Sequence, residues 1–159
     1  MDSQQISIKP FEREDQDTVR NLILDGLAEH WDEVDTKLNP DLNDIGASYE
    51  GATFLVAWLD GEIVGSGALV PSSDHVAEIV RMSVAAEYRR HGIGRQILER
   101  LCQKAKESGI QRIVLETSSS WTEAIVFYRR FGFRVTSRHN GRFGCEVHFA
   151  LDLATASGR

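Results

Sequence analysis

From Ala77 to Leu98 the chain reads AEIVRMSVAAEYRRHGIGRQIL, where a strand pattern runs through a short polar turn into a helix pattern that starts at a glycine. Up to Val84 the residues are β-branched and apolar with interspersed polar groups, as in a central strand. From Ile93 the apolar positions switch to helical spacing. Between them lies Arg89-Arg90-His91-Gly92-Ile93-Gly94. Two glycines at a helix start let the backbone approach a ligand closely, and the first-turn N–H groups with the positive dipole end attract phosphate oxygens. The chemistry implied is pyrophosphate binding, although glycine also serves strand-to-helix turns that hold no ligand.

Two other phosphate motifs do not fit. A P-loop needs Lys-Ser or Lys-Thr after its last glycine, and Arg95-Gln96 follows here. A dinucleotide fingerprint needs a third glycine and an acidic residue after the next strand, whereas Gly92-Ile93-Gly94 has two glycines at the wrong spacing.

The rest of the chain frames this junction as an α/β protein. With 159 residues, 42% of them hydrophobic, one compact domain over residues 1–153 is expected, followed by a loose tail at 154–159. Ile6-Ser7-Ile8 alternates as a first strand that Pro10 stops, and Glu14 to about Trp31 has the spacing of an amphipathic helix. Leu42, Ile45 and Tyr49 suit a short second helix. Thr53–Trp58 and Glu62–Val70 read as strands joined by a turn at Asp60-Gly61. Pro71–Asp74 reads as the next turn and His75–Val84 as the fourth strand. A helix from Gly92 to about Ser108 is capped by Gly109, and Arg112–Glu116 should lie parallel to the fourth strand through a right-handed crossover. A helix from Thr122 to Phe131 follows. The chain then continues in two strands with a hairpin signal at Asn140-Gly141.

Charge and cysteine content narrow the function classes. The formal charge of −6 without a block of five like charges argues against nucleic acid and tolerates a cationic substrate. No run of 18 apolar residues exists and MDSQQISIKP lacks signal-peptide regions, so no membrane association and a cytoplasmic location are expected. Cys102 and Cys145 are too few for a disulfide framework and wrongly spaced for zinc, so no metal is expected.

The arginine, two residues, glycine, one residue, glycine spacing at Arg89 to Gly94, after Met82-Ser83-Val84, resembles the acetyl-CoA-binding motif of the GNAT superfamily of N-acetyltransferases. About thirty residues on, Ala124-Ile125-Val126-Phe127-Tyr128-Arg129-Arg130-Phe131-Gly132-Phe133 resembles that family's alanine, tyrosine, glycine-phenylalanine signature. The resemblance covers nearly the whole chain. It implies the GNAT acyl-CoA N-acyltransferase fold: a mixed α/β architecture with a seven-stranded, mostly antiparallel sheet, one parallel strand pair and four helices.

The resemblance further implies that the fourth and fifth strands splay, so that the pantetheine arm of acetyl-CoA pairs with backbone groups at Met82 and Val84, on either side of Ser83. The amides from Arg89 through Gly92 and Ile93 to Gly94 would hold the pyrophosphate, with Arg89 or Arg90 adding charge. Arg90, His91 and Arg95, taken singly, are read equally as phosphate contacts or as solvated surface.

An amine attacking the thioester directly needs a base, a polarised carbonyl and a proton for the thiolate. Tyr128 matches the family's general acid, with a packed helix tyrosine as the competing reading. The backbone N–H near Val84 could bind the thioester oxygen. Glu78, a carboxylate inside an apolar strand, is the base candidate, with ion pairing or amine binding as its alternatives. Strand alternation sets Arg81 on the opposite side from it. Trp121 stands where many members have an asparagine and, with Trp31 and Tyr49, suggests an apolar or aromatic wall at the acceptor. The expected function is acetyl transfer to a primary amine of a small molecule or peptide, the alternative a non-catalytic acyl-CoA-binding module. An exposed edge in the last hairpin would permit a homodimer.

Overall fold

A computed structural model describes residues 5–29, 39–141 and 144–153. Its elements are β1 (Ile6–Pro10), α1 (Gln16–Ala28), α2 (Ile45–Ser48), β2 (Thr53–Leu59), β3 (Glu62–Ser73), β4 (Val76–Val84), α3 (Ile93–Glu107), β5 (Arg112–Ser118), α4 (Thr122–Phe131), β6 (Arg134–Gly141) and β7 (Gly144–Asp152). The seven strands hydrogen-bond in the order β1-β2-β3-β4-β5-β7-β6. Where described, only β4 and β5 pair in parallel among the ladders whose register is resolved, through Val76–Arg112, Ala77–Ile113 and Glu78–Val114. The ladder ends there, while β4 runs on to Val84 and β5 to Ser118.

The chain divides into two compact units, Met1–Val70 with Val80–Leu101 and Pro71–Ile79 with Cys102–Arg159, and β3, β4 and α3 run through both. In the first unit, Val19 and Ile23 of α1 meet Leu42, Ile45, Phe54, Val56 and Ala68 in one apolar cluster. Gln16 ties the helix to the following segment: its Nε2 donates to the Leu42 carbonyl (2.7 Å) and its Oε1 accepts from the Ile45 amide (2.9 Å). α3 lies directly on the β3 backbone. A Cβ on Gly67 would stand 2.5 Å from Met82 Sδ and 2.7 Å from Ile97 Cγ2, so that position must lack a side chain for strand and helix to pack.

In the second unit β5 and β7 pair from Arg112–Asp152 to Ser118–Glu146, and β6 pairs with β7 on the other side. Ile113, Leu115, Tyr128, Phe133, Val147, Phe149 and Ala150 are buried. α3 ends at Glu107, and Gly109 (φ +81) turns the chain just beyond it, with the Ile110 amide bonding back to the Ala105 carbonyl.

Three boundaries differ from those read in the sequence. Pro10 closes β1 from within, on a sheet edge where a missing N–H is tolerated. β3 runs through Pro71 to Ser73, because β2 ends opposite Leu69 and the side of β3 facing it needs no donor from a proline. The β3–β4 turn is therefore Asp74-His75, with His75 at φ +67 instead of in the strand. Asn140 and Gly141 are themselves ladder residues, opposite Cys145 and Gly144, so the hairpin connection falls two residues later, outside the described residues. The 154–159 tail and the end of the expected first helix at Trp31 also lie outside them.

Candidate active site

In the first unit β4 carries a backbone irregularity. Arg81 sits at φ +57, in the left-handed region that costs a residue with a Cβ, and the buried Ser66 hydroxyl donates to its carbonyl (2.8 Å). Its guanidinium grips Asp41 through two bonds, Nη2 to Oδ1 (2.7 Å) and Nε to Oδ2 (2.9 Å), and donates to Asn39 Oδ1 (3.0 Å). Tyr49 Oη donates to Asp41 Oδ2 (2.6 Å) while its ring packs edge-on against Phe54. Burial by itself pushes the Asp41 carboxyl up, and the Arg81 and Tyr49 bonds overcome it, leaving Asp41 below its ordinary value. Burial and the adjoining Asp41 carboxylate push Tyr49 up to about 12.

Past Arg81, the half-buried Met82, Ser83 and Val84 complete the strand, and a short 3-10 turn at Ala86–Tyr88 leads into the glycine segment. Arg89 organises this turn: Nε donates to the Val84 carbonyl (3.0 Å), and both terminal nitrogens bond the Glu29 carboxylate (2.6 and 2.7 Å). Arg90 (φ +67) and Gly92 (φ +82) turn the backbone into α3. The Gln96 amide bonds the Gly92 carbonyl (3.0 Å), so the first-turn amides precede that bond at the positive end of a 15-residue helix. Ile93 buries its side chain, Gly94 is half-buried, and Arg90, His91 and Gly92 are exposed. A Cβ built on Gly92 meets nothing within 4 Å, so the backbone there faces open space, as an anion cradle requires. Exposed Arg95 pairs with Glu99 one helical turn on (3.2 Å).

In the second unit Glu78 stands beside Val114 on β5, and Glu116 two residues on stands opposite His148 of β7. Alternation puts Glu78, Glu116 and His148 on one sheet face. Burial raises the Glu78 pKa, the like charge of Glu116 raises it further, and His148 opposes both. Glu116 and His148 carry no motif, and only the three-strand register joins them to Glu78.

Tyr128 is buried among Phe127, Phe133 and Phe149, with ring centroids 5.1, 5.7 and 5.9 Å away, and burial raises its pKa so that the phenol stays protonated. Gly132 (φ +127) ends α4 just beyond it, with the Phe133 amide on the Tyr128 carbonyl (3.0 Å). Half-buried Trp121 precedes α4, its amide on the Ser118 carbonyl (3.0 Å) and its carbonyl accepting from Ile125 (3.1 Å). Trp31 lies outside the described residues.

Residues 17–133 match the model of the acetyltransferase (GNAT) family. The chain belongs to that family. Among curated relatives it is similar to the probable N-acetyltransferase camello of Xenopus tropicalis, 36% identical over 102 residues that make up 61% of this chain and 47% of that protein. The chain spans about half the length of the first such relatives it matches. Among solved structures it is similar to a GNAT-family acetyltransferase from Staphylococcus aureus Mu50, with TM-score 0.85, 25% identity, and 94% of this chain and all of that one covered. The fold is shared with yncA from Salmonella typhimurium, whose structure was solved with its cofactor acetyl-CoA (TM-score 0.73, 21% identity, 94% of each chain covered). The seven-stranded mixed sheet with four helices is thus the GNAT fold.

Proposed function

We propose that this GNAT member transfers the acetyl group of acetyl-CoA to a primary amine of a small molecule or peptide by direct attack, as one catalytic domain working in the cytoplasm. The observation that carries the reading is Glu78, a carboxylate raised by burial and by Glu116. A base with its pKa moved toward neutrality takes a proton from an attacking amine more readily than an ordinary surface carboxylate does.

Acetyl-CoA supplies the thioester carbon as electrophile. Past the last β4–β5 rung, backbone groups at Met82 and Val84, beside Ser83, are the proposed partners of the pantetheine arm, and the Val84 amide polarises the carbonyl. Amides from Arg89 to Gly94 hold the pyrophosphate, a role favoured by the open space at Gly92, while Arg90, His91 and Arg95 line the same turn. Glu78 accepts the amine proton as the C–N bond forms. Tyr128 gives its proton to the sulfur as the C–S bond breaks, and burial among three aromatic rings favours that role by keeping it protonated. Trp31, Tyr49 and Trp121 are proposed to shape the acceptor site, and the β6 edge to pair two chains.

Calorimetric titration with acetyl-CoA, followed by thiol release against amines, polyamines and lysine peptides, tests this. Binding with amine-dependent thiol release is expected, and binding lost in Gly92→Glu. Binding without turnover on any amine would favour an acyl-CoA-binding module, and no binding would sink the reading.

A further inference from the structure

The β6–β7 register gathers three metal-ligating side chains that have no motif spacing in the sequence. His139 stands opposite Glu146, and His148 follows Glu146 by two residues, so all three project from one face of the hairpin. His139 Nε2 and His148 Nε2 are 2.6 Å apart, and each is 3.7 Å from Glu146 Oε1. The point equidistant from the corners of that triangle lies about 2.0 Å from each, the bond length zinc makes to imidazole nitrogen and carboxylate oxygen.

We propose that His139, Glu146 and His148 bind one divalent transition-metal ion of the zinc class, through two imidazole Nε2 atoms and a carboxylate oxygen, with its remaining positions open to water or an exogenous ligand. An N–H···N bond between the two rings would satisfy only the histidines, whereas a cation near the common centre would engage all three donors once the stacked rings, 4.5 Å between centroids and 26° between planes, turn their nitrogens toward it. Two nitrogens and one oxygen suit zinc, cobalt, nickel or copper and disfavour calcium and magnesium, which prefer all-oxygen shells. At the observed separation the two imidazoles subtend about 80° at the centre, and a tetrahedral ion needs its ligands about 3.3 Å apart. The His139 side chain, 54% exposed against about 30% for the other two, is the one with room to swing out. Cys145 neighbours Glu146 in sequence but alternation turns it to the other face, so the absence of a cysteine pattern did not bear on this site.

The test uses the full chain stripped with a chelator and checked by circular dichroism. Titrated with Zn2+ against a chromophoric chelator, it should take up one equivalent. His139→Gln and Glu146→Gln should each weaken binding at least about tenfold, while His75→Gln, whose ring lies against the Gly109 carbonyl, should bind as the parent does. Less than one equivalent, or a smaller loss in either folded variant, overturns the site. Co2+ absorption of the parent chain decides even where a variant fails to fold: nitrogen–oxygen ligand-field bands support the assignment, and a sulfur-to-cobalt charge-transfer band or no bands would overturn it.

Discussion

Asp41 in the first unit and Glu78 in the second are both half-buried carboxylates, yet their surroundings move them in opposite directions. Asp41 receives two bonds from Arg81 and one from Tyr49, and these outweigh burial and keep it ionised. Glu78 meets burial and the like charge of Glu116, with His148 as the opposing influence. Burial alone therefore does not decide what a carboxylate can do. A carboxylate clamped by a guanidinium is a structural anchor, because its proton affinity has been suppressed, and one raised by its neighbours can accept a proton in a reaction cycle.

The largest effect separating the two should come from Glu78→Gln. If Glu78 is the base, kcat/KM falls about 10² to 10⁴-fold while acetyl-CoA affinity holds. Stability should move the other way. A carboxyl whose folded pKa is raised favours folding below its unfolded pKa, and that advantage disappears as pH rises through the folded value. The ionised Glu78 is therefore a burden at neutral pH, and its removal should leave Tm unchanged or higher. Loss of activity together with a falling Tm would make Glu78 a structural group like Asp41.

Asp41→Asn is expected to reverse that pattern. It leaves the left-handed Arg81, with a side chain only 18% exposed, short of its charge partner, and should cost about 1–3 kcal/mol, or several degrees of Tm. The depressed folded pKa of Asp41 means that its stabilisation is complete above the ordinary carboxylate range and is lost as pH falls through the folded value. The gap in Tm between parent and variant should therefore close on acidification. A gap constant from neutral pH down to about pH 3 would show that the ion pair does not carry the difference.

How much of this was legible in the sequence follows from how local each feature is. The turn at Asp60-Gly61 was legible because both residues accept positive φ (+53 and +82), and α3 was legible from its apolar spacing. The Arg81–Asp41 clamp was not, since its partners lie 40 residues apart and no periodicity links them. The same holds for Glu116 and His148 around Glu78, which meet only through strand register. The His139, Glu146 and His148 cluster was hidden by a specific displacement. A two-residue turn at Asn140-Gly141 would set His139 opposite residue 142, whereas the observed hairpin sets it opposite Glu146. A shift in the turn of two residues moves each cross-strand partner by four.

The smallest effect concerns what tunes Glu78. Glu116 on β5 and His148 on β7 face it with opposite influences, and its own burial is the largest of the three. Glu116→Gln removes the like charge and leaves burial in place, so the Glu78 pKa should fall toward the ordinary range without reaching Asp41's condition. If Glu78 is the base, the acidic limb of the pH–kcat/KM profile moves to lower pH while the plateau rate changes little. A limb that moves upward, or a plateau that collapses with the limb unmoved, would show that Glu116 acts on the substrate instead of on Glu78. The two carboxylates would then differ in their bonds alone, and the like charge would have no part in the contrast.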